Sequence, residues 1–213
     1  MEIIVHTEPF HHIIIKDLYT EEENTDIMAE LLFLSSGDKL KGPEDTGSAK
    51  EGGTNRLLKK NLGIQLDSTY NDRSVSDILR ITSKVFPLLF ERNLTDASPN
   101  PLLEDSWYFS NLCFDRTATL VFYYEDSDYY EAHRDDSVVT MFTWRYKDPK
   151  SFKGGDLKFP FYNDYTIPVD KSTTLLIPSA ISHEVTEVSM LDSDKGKQLG
   201  RFVITTFMNI GGI

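Results

Sequence analysis

From residue 106 onward the chain alternates between short apolar, β-branched or aromatic runs and clusters of turn residues. The runs fall at 107–114, 117–124, 138–146, 155–159, 172–177, 183–188 and 202–209. Runs of that length, bounded by Gly, Pro, Asn, Asp and Ser, predict strands, and a series of them with few helical patterns between predicts a sandwich or barrel such as a jelly roll. The first hundred residues are patterned differently. Phe10-His11-His12-Ile13-Ile14-Ile15 predicts a strand. Thr20 followed by Glu23 has capping-box spacing, and Ile27, Leu31 and Leu32 behind it predict a helix that ends near Ser35. A second stripe, Ile78, Leu79, Ile81, Val85 and Leu88, predicts a helix opened by Ser74 and bent or ended by Pro87. Residues 93–105, with Pro99 and Pro101, read as a connection.

Between the two helices, residues 36–55 are rich in Gly, Lys and Ser and too polar to build core, so a long surface loop is expected. Its lysines, with Arg56, Lys59 and Lys60, form a basic zone that reads either as a solvated face or as a mobile flap at the mouth of a site. The chain shows no internal repeat, low-complexity tract or linker. The expectation is a single domain over 1–213, with 1–105 supporting a core at 106–213.

Charge and cysteine content narrow the function classes. Lys and Arg number 22 against 34 Asp and Glu, a formal charge of -12 that would repel a phosphate backbone and disfavours general nucleic-acid binding. Cys113 is the only cysteine, which rules out an internal disulfide, and its setting in Asn111-Leu112-Cys113-Phe114 predicts a buried thiol. Met1-Glu2-Ile3-Ile4-Val5-His6 lacks the basic and apolar regions of a signal peptide, and no stretch approaches the ~20 apolar residues of a membrane span. A soluble, cytoplasmic protein is expected. Asn93-Leu94-Thr95 then reads as an accidental glycosylation match.

The chemistry concentrates at Tyr129-Tyr130-Glu131-Ala132-His133-Arg134-Asp135. In an extended strand His133 and Asp135 project from one face while Arg134 points away, so an imidazole and a carboxylate can hold one small object. A third ligand from elsewhere would complete the 2-His-1-carboxylate face of non-haem Fe(II) sites. His183, at the junction of the runs 172–177 and 183–188, is the natural candidate. Arg201, Val203 and Thr205 share one face of the last run. Tyr123-Tyr124 precede His133, and Gly154-Gly155-Asp156-Leu157-Lys158-Phe159-Pro160 lies between the two histidines. His11 and His12 are adjacent, face opposite ways and have no nearby carboxylate, so they read as structural.

Taken together, these residues resemble the 2-oxoglutarate/Fe(II)-dependent oxygenase superfamily, most closely its prolyl 4-hydroxylase-like branch, over about residues 106–210. The resemblance implies a double-stranded β-helix (jelly-roll) core with N-terminal helices packed on its larger sheet, mainly β overall. It places the iron ligands at His133, Asp135 and His183, and the residue that binds the distal carboxylate of 2-oxoglutarate at Arg201. Tyr123 matches a tyrosine that assists at that carboxylate, and Thr205 a small polar residue beside the cosubstrate. Three departures stand out. Trp144 lies where many relatives carry another tyrosine, Glu187 replaces a usual proline, and Arg201 trails His183 by 18 residues, about twice the spacing of close relatives. Residues 189–200 therefore read as a polar hairpin insertion.

The implied activity is that of a dioxygenase using Fe(II), 2-oxoglutarate and O2, with ascorbate as an accessory reductant. It would hydroxylate an unactivated C–H bond and release succinate and CO2. Asp135 matters, because relatives that halogenate lack this carboxylate. The resemblance favours a prolyl residue of a peptide or protein as substrate, with a free amino acid or other small molecule as the alternative. Outside that class stand a zinc hydrolase on the same triad, which would have no need of Arg201, and a non-catalytic jelly roll that binds a ligand or protein.

Overall fold

The β-branched and aromatic runs pair as antiparallel strands in two facing sheets. The computed structural model describes residues 1–47, 50–51, 54–90 and 100–211. Ahead of the main strands lie β1 (Glu2–His6), β2 (His12–Lys16), α1 (Glu21–Leu34), β3 (Lys59–Lys60), β4 (Leu62–Gln65), α2 (Leu66–Thr69), α3 (Asp77–Thr82), α4 (Val85–Phe90) and α5 (Trp107–Ser110). Then come β5 (Arg116–Tyr124), β6 (Tyr129–His133), β7 (Val139–Arg145), β8 (Phe152–Lys153), β9 (Leu157–Phe159) and β10 (Tyr165–Ile167). The chain closes with β11 (Thr173–Pro178), β12 (His183–Val185), β13 (Ser189–Met190) and β14 (Arg201–Asn209).

The larger sheet has the order β1-β2-β11-β7-β14-β5-β4, and the smaller one β10-β9-β12-β6-β3. Every residue of β7 and β11 is buried, as expected for strands covered on both faces. Their inner face packs Phe142, Trp144, Leu175 and Ile177 against Leu157, Phe159 and Val185 of the smaller sheet. The outer face of the larger sheet carries the helices. Ile27, Leu31 and Leu34 of α1 and Ile78, Leu79 and Ile81 of α3 meet Val121, Tyr123, Phe202 and Ile204, while Val85 and Leu89 of α4 meet Val139, Met141 and Met208. This is the expected jelly roll with helices on its larger sheet. No helix among the described residues is long and apolar enough to cross a membrane.

The capping box at Thr20 and Glu23 is present in both directions. Elsewhere local chemistry moved the boundaries. The stripe 78–88 is two helices, because α3 stops at Ser83 and α4 restarts at Val85. Pro87 lies in the first turn of α4, where its missing N–H would have had no intrahelical partner, and so does not cause the break. The cap of α3 is Ser76, whose hydroxyl accepts from the Leu79 N–H, while Asp72 caps a 3-10 turn over Arg73–Val75. The strand expected at 107–114 is the short helix α5, because the Ser106 hydroxyl accepts from the Phe109 N–H and starts a helical turn. Cys113, in the irregular chain after it, is exposed rather than buried. The glycosylation match at 93–95 lies outside the described residues.

The insertion 189–200 is not a free hairpin. Ser189–Met190 pairs with Phe152–Lys153, the Met190 N–H donates to Asp126 Oδ1 at 2.8 Å, and Lys195 meets Asp126 at 2.7 Å. At the far end the Gln198 amide donates to the Leu32 carbonyl of α1 at 2.9 Å. Tied at both ends, the loop delivers Arg201 to the start of β14.

Candidate metal centre

His133 ends β6 and His183 begins β12, and the two are register partners across the smaller sheet. As directly opposed residues of an antiparallel pair both rings project from one face, with centroids 4.5 Å apart. Asp135 lies just beyond β6, where its N–H donates to the Ser179 carbonyl at 3.1 Å. His133 Nε2 is 3.7 Å from Asp135 Oδ1, and His183 Nε2 is 3.5 Å from Asp135 Oδ2. All three ligand atoms lie within 4.8 Å of one another.

The surroundings fix how these groups present themselves. His133 Nδ1 donates to the Glu131 carbonyl at 2.8 Å and His183 Nδ1 to the Ile181 carbonyl at 2.9 Å. A carbonyl only accepts, so Nδ1 carries a ring proton in both and each Nε2 is the nitrogen that faces the site. Tyr130 stacks on His133 with centroids 3.5 Å apart, and Phe142 stands edge-on to His183 at 5.5 Å. Asp135 Oδ2 accepts from the Thr140 hydroxyl at 2.7 Å, and Thr140 in turn bonds Ser179 at 2.9 Å. Burial pulls the His133 imidazole down to about 3 and pushes the Asp135 carboxyl up. Two imidazole Nε2 atoms and a buried carboxylate facing one point are the donor set a divalent cation takes, and its charge would offset the cost of burying Asp135. The residues fit Fe(II).

The triad opens on a cavity of about 290 Å³ that Arg201 and Thr205 also line. Arg201 is 0% exposed, and its Nε, Nη1 and Nη2 have no hydrogen-bond partner among the described residues. Its guanidinium lies over the ring of Tyr124 at 4.7 Å, and burial pulls it down to about 10. Gly155, at φ +72°, makes room for its stem, because a Cβ there would lie 2.9 Å from Arg201 Cδ. A fully buried guanidinium facing a cavity without a counter-ion is a site for an anion, and its planar fork suits a carboxylate.

Five of the six expected residues come together: His133, Asp135, His183, Arg201 and Thr205. Tyr123 does not. Arg201 pairs with Tyr124 and Phe202 with Tyr123, so Tyr124 shares the cavity face while Tyr123 packs against the helices. The Tyr123 hydroxyl donates to Glu125 Oε1 at 3.0 Å and accepts from the Gly200 N–H at 3.2 Å, which holds the turn into β14. His11 and His12 are structural, bonded to the Ser106 hydroxyl and the Phe10 carbonyl respectively. Trp144 is buried on the inner face, and its Nε1 has no partner among the described residues. The cavity also holds Lys59, which composition left on either a solvated face or a mobile flap. It is 4% exposed, and burial pulls it down to about 8. Its alternation with the exposed Lys60 was the available signal.

No family model matches the chain, and no curated protein sequence matches it. Solved structures do. A prolyl-4-hydroxylase from Pseudomonas putida superposes with TM-score 0.57 at 12% identity, over 94% of this chain and 93% of that one. The viral collagen prolyl hydroxylase vCPH from Paramecium Bursaria Chlorella virus-1, solved as its 2OG complex, gives TM-score 0.52 at 10% identity, over 94% and 96%. At such identities the likeness is one of fold, and it extends over both the helices and the strands. The chain has the fold of these two solved prolyl hydroxylases.

Proposed function

We propose that this protein is an Fe(II)- and 2-oxoglutarate-dependent dioxygenase that hydroxylates an unactivated C–H bond. The observation that carries the reading is the fully buried Arg201 guanidinium, with no ion-pair partner among the described residues, in the same cavity as a His-Asp-His set with both Nε2 atoms turned inward. When bound, Fe(II) and 2-oxoglutarate supply oxidative decarboxylation, in which one oxygen atom of O2 enters succinate and the other the substrate C–H bond, with CO2 released.

The chain's own residues bind, orient and shield. His133, Asp135 and His183 hold the cation on one side, leaving the other side of its coordination sphere to small ligands. Arg201 takes the distal carboxylate through paired charge-assisted hydrogen bonds and so sets the direction of the cosubstrate. Thr205 offers a hydroxyl on the same strand face, and Tyr124, rather than Tyr123, walls the guanidinium. Phe122, Phe142 and Val203 give part of the wall an apolar surface. The resemblance favours a prolyl residue as substrate and ascorbate as accessory reductant. A free amino acid or other small molecule is the alternative substrate.

The test is 2-oxoglutarate turnover to succinate by the Fe(II)-loaded chain. Wild type should decarboxylate 2-oxoglutarate, and His133→Ala should not. Normal iron content and turnover in His133→Ala would defeat the ligand assignment.

A further inference from the structure

Lys59 pairs with Tyr130 at the edge of the smaller sheet and faces the cavity, while Lys60 turns outward to Asp128. Among the described residues the Lys59 ammonium has one long hydrogen bond, 3.4 Å to the Thr46 carbonyl. Otherwise it stands over the Phe122 ring at 4.3 Å and beside Tyr130 at 5.5 Å, both walls of the cavity. No carboxylate of the described residues forms an ion pair with it. Asp135 belongs to the metal set, and the remaining acidic group of the lining, Asp45, is exposed. Aromatic faces attract an ammonium but do not replace the hydration it has lost. The cavity therefore carries two buried cations, Arg201 on the larger sheet and Lys59 on the smaller.

If Fe(II) takes one end of 2-oxoglutarate and Arg201 the other, Lys59 is left without an anion. We propose that Lys59 is the counter-charge for a carboxylate of the primary substrate, so that the molecule hydroxylated is a free amino acid or the C-terminal residue of a peptide rather than an internal residue. This rests on the function proposed above. A single ammonium, with a carbonyl as its nearest polar neighbour, suits a monoanion better than a phosphate dianion. The cavity, at about 290 Å³, lies at the small end of ligand sites and already has to hold the cosubstrate.

The test is anaerobic equilibrium binding to the full chain loaded with Mn(II) and 2-oxoglutarate, where no turnover occurs. The probes are the free L-amino acids and the tripeptide Gly-Gly-Pro, each against its C-terminal amide. At least one carboxylate should bind, its amide about thirtyfold or more weaker, and Lys59→Met should weaken the carboxylate by a similar factor. Lys59→Arg should recover part of the loss. Equal binding of acid and amide, no binding by any carboxylate probe, or unchanged carboxylate affinity in Lys59→Met would each overturn the proposal. A parallel fall in 2-oxoglutarate affinity in Lys59→Met would also overturn it, because Lys59 would then belong to the cosubstrate. If Lys59→Met does not fold, the wild-type comparison of acid with amide decides alone. Failure of wild type to take up Mn(II) or 2-oxoglutarate would remove the proposed function and this proposal with it, whereas uptake of both without discrimination removes this proposal only.

Discussion

Burying the Arg201 guanidinium costs several kcal/mol unless an anion meets it, on the order of what breaking a buried ion pair costs. Arg201→Ala should therefore raise the dissociation constant of 2-oxoglutarate about thirtyfold or more while leaving metal affinity intact, as read by equilibrium binding. Arg201→Lys should fall between, keeping the charge and losing the fork. Unchanged affinity in Arg201→Ala would send the cosubstrate elsewhere. His12 gives a residue-scale prediction about stability. Burial pulls its imidazole from 6.5 to about 4, so between those values the unfolded chain binds the extra proton and stability rises with pH. The contribution is fully present above about pH 6.5 and is lost as pH falls through about 4, a change on the order of 3 kcal/mol. Urea unfolding at pH 7 and pH 4.5 should show a smaller drop for His12→Gln than for wild type, and equal drops would contradict the assignment. The metal ligands were legible at this scale because a period of two fixes which side chains share a face. The choice between Tyr123 and Tyr124 was not, since it depends on the register of β5 against β14, to which no single strand's pattern speaks.

Among the elements, β14 was the most legible, because its alternation of Arg201, Val203 and Thr205 with Phe202, Ile204 and Thr206 separates cavity from helix layer along one strand. The short helices were least legible. α5 lies in an aromatic stretch of high strand propensity, and one serine hydroxyl decides against that propensity. The segment 36–60 was read as a basic surface loop, and three of its parts prove more specific. Thr46 and Gly47 border the cavity, and Lys59 enters it. Arg56 forms a two-pronged pair with Glu131 of β6, at 2.5 and 2.8 Å, next to the metal strand. That pair ties the loop to the site, so Arg56→Ala should speed amide hydrogen exchange around residues 54–58 relative to wild type, and substrate binding should slow it. Identical exchange in all three states would show that the loop takes no part in closing the cavity.

For the molecule as a whole, the two sheets supply the two halves of one site. The smaller sheet brings His133, His183 and Lys59, and the larger brings Arg201 and Thr205. Their convergence was only partly legible, because the spacing of 18 residues between His183 and Arg201 hides a loop anchored to Asp126 and to α1. A ligand that bridges the sheets and binds only the folded chain adds stability by mass action, about 2.7 kcal/mol at a hundred times its dissociation constant. Mn(II) with 2-oxoglutarate should thus raise the melting temperature more than Mn(II) alone in wild type, and the difference should shrink to about a third or less in Arg201→Ala. The central claim is most directly tested by an anaerobic titration of the purified chain with Fe(II) and then labelled 2-oxoglutarate. The arrangement of His133, Asp135, His183 and Arg201 predicts one iron and one 2-oxoglutarate per chain, both lost in His133→Ala and only the 2-oxoglutarate lost in Arg201→Ala. A wild-type chain that binds neither, or a His133→Ala chain that binds both, would contradict it.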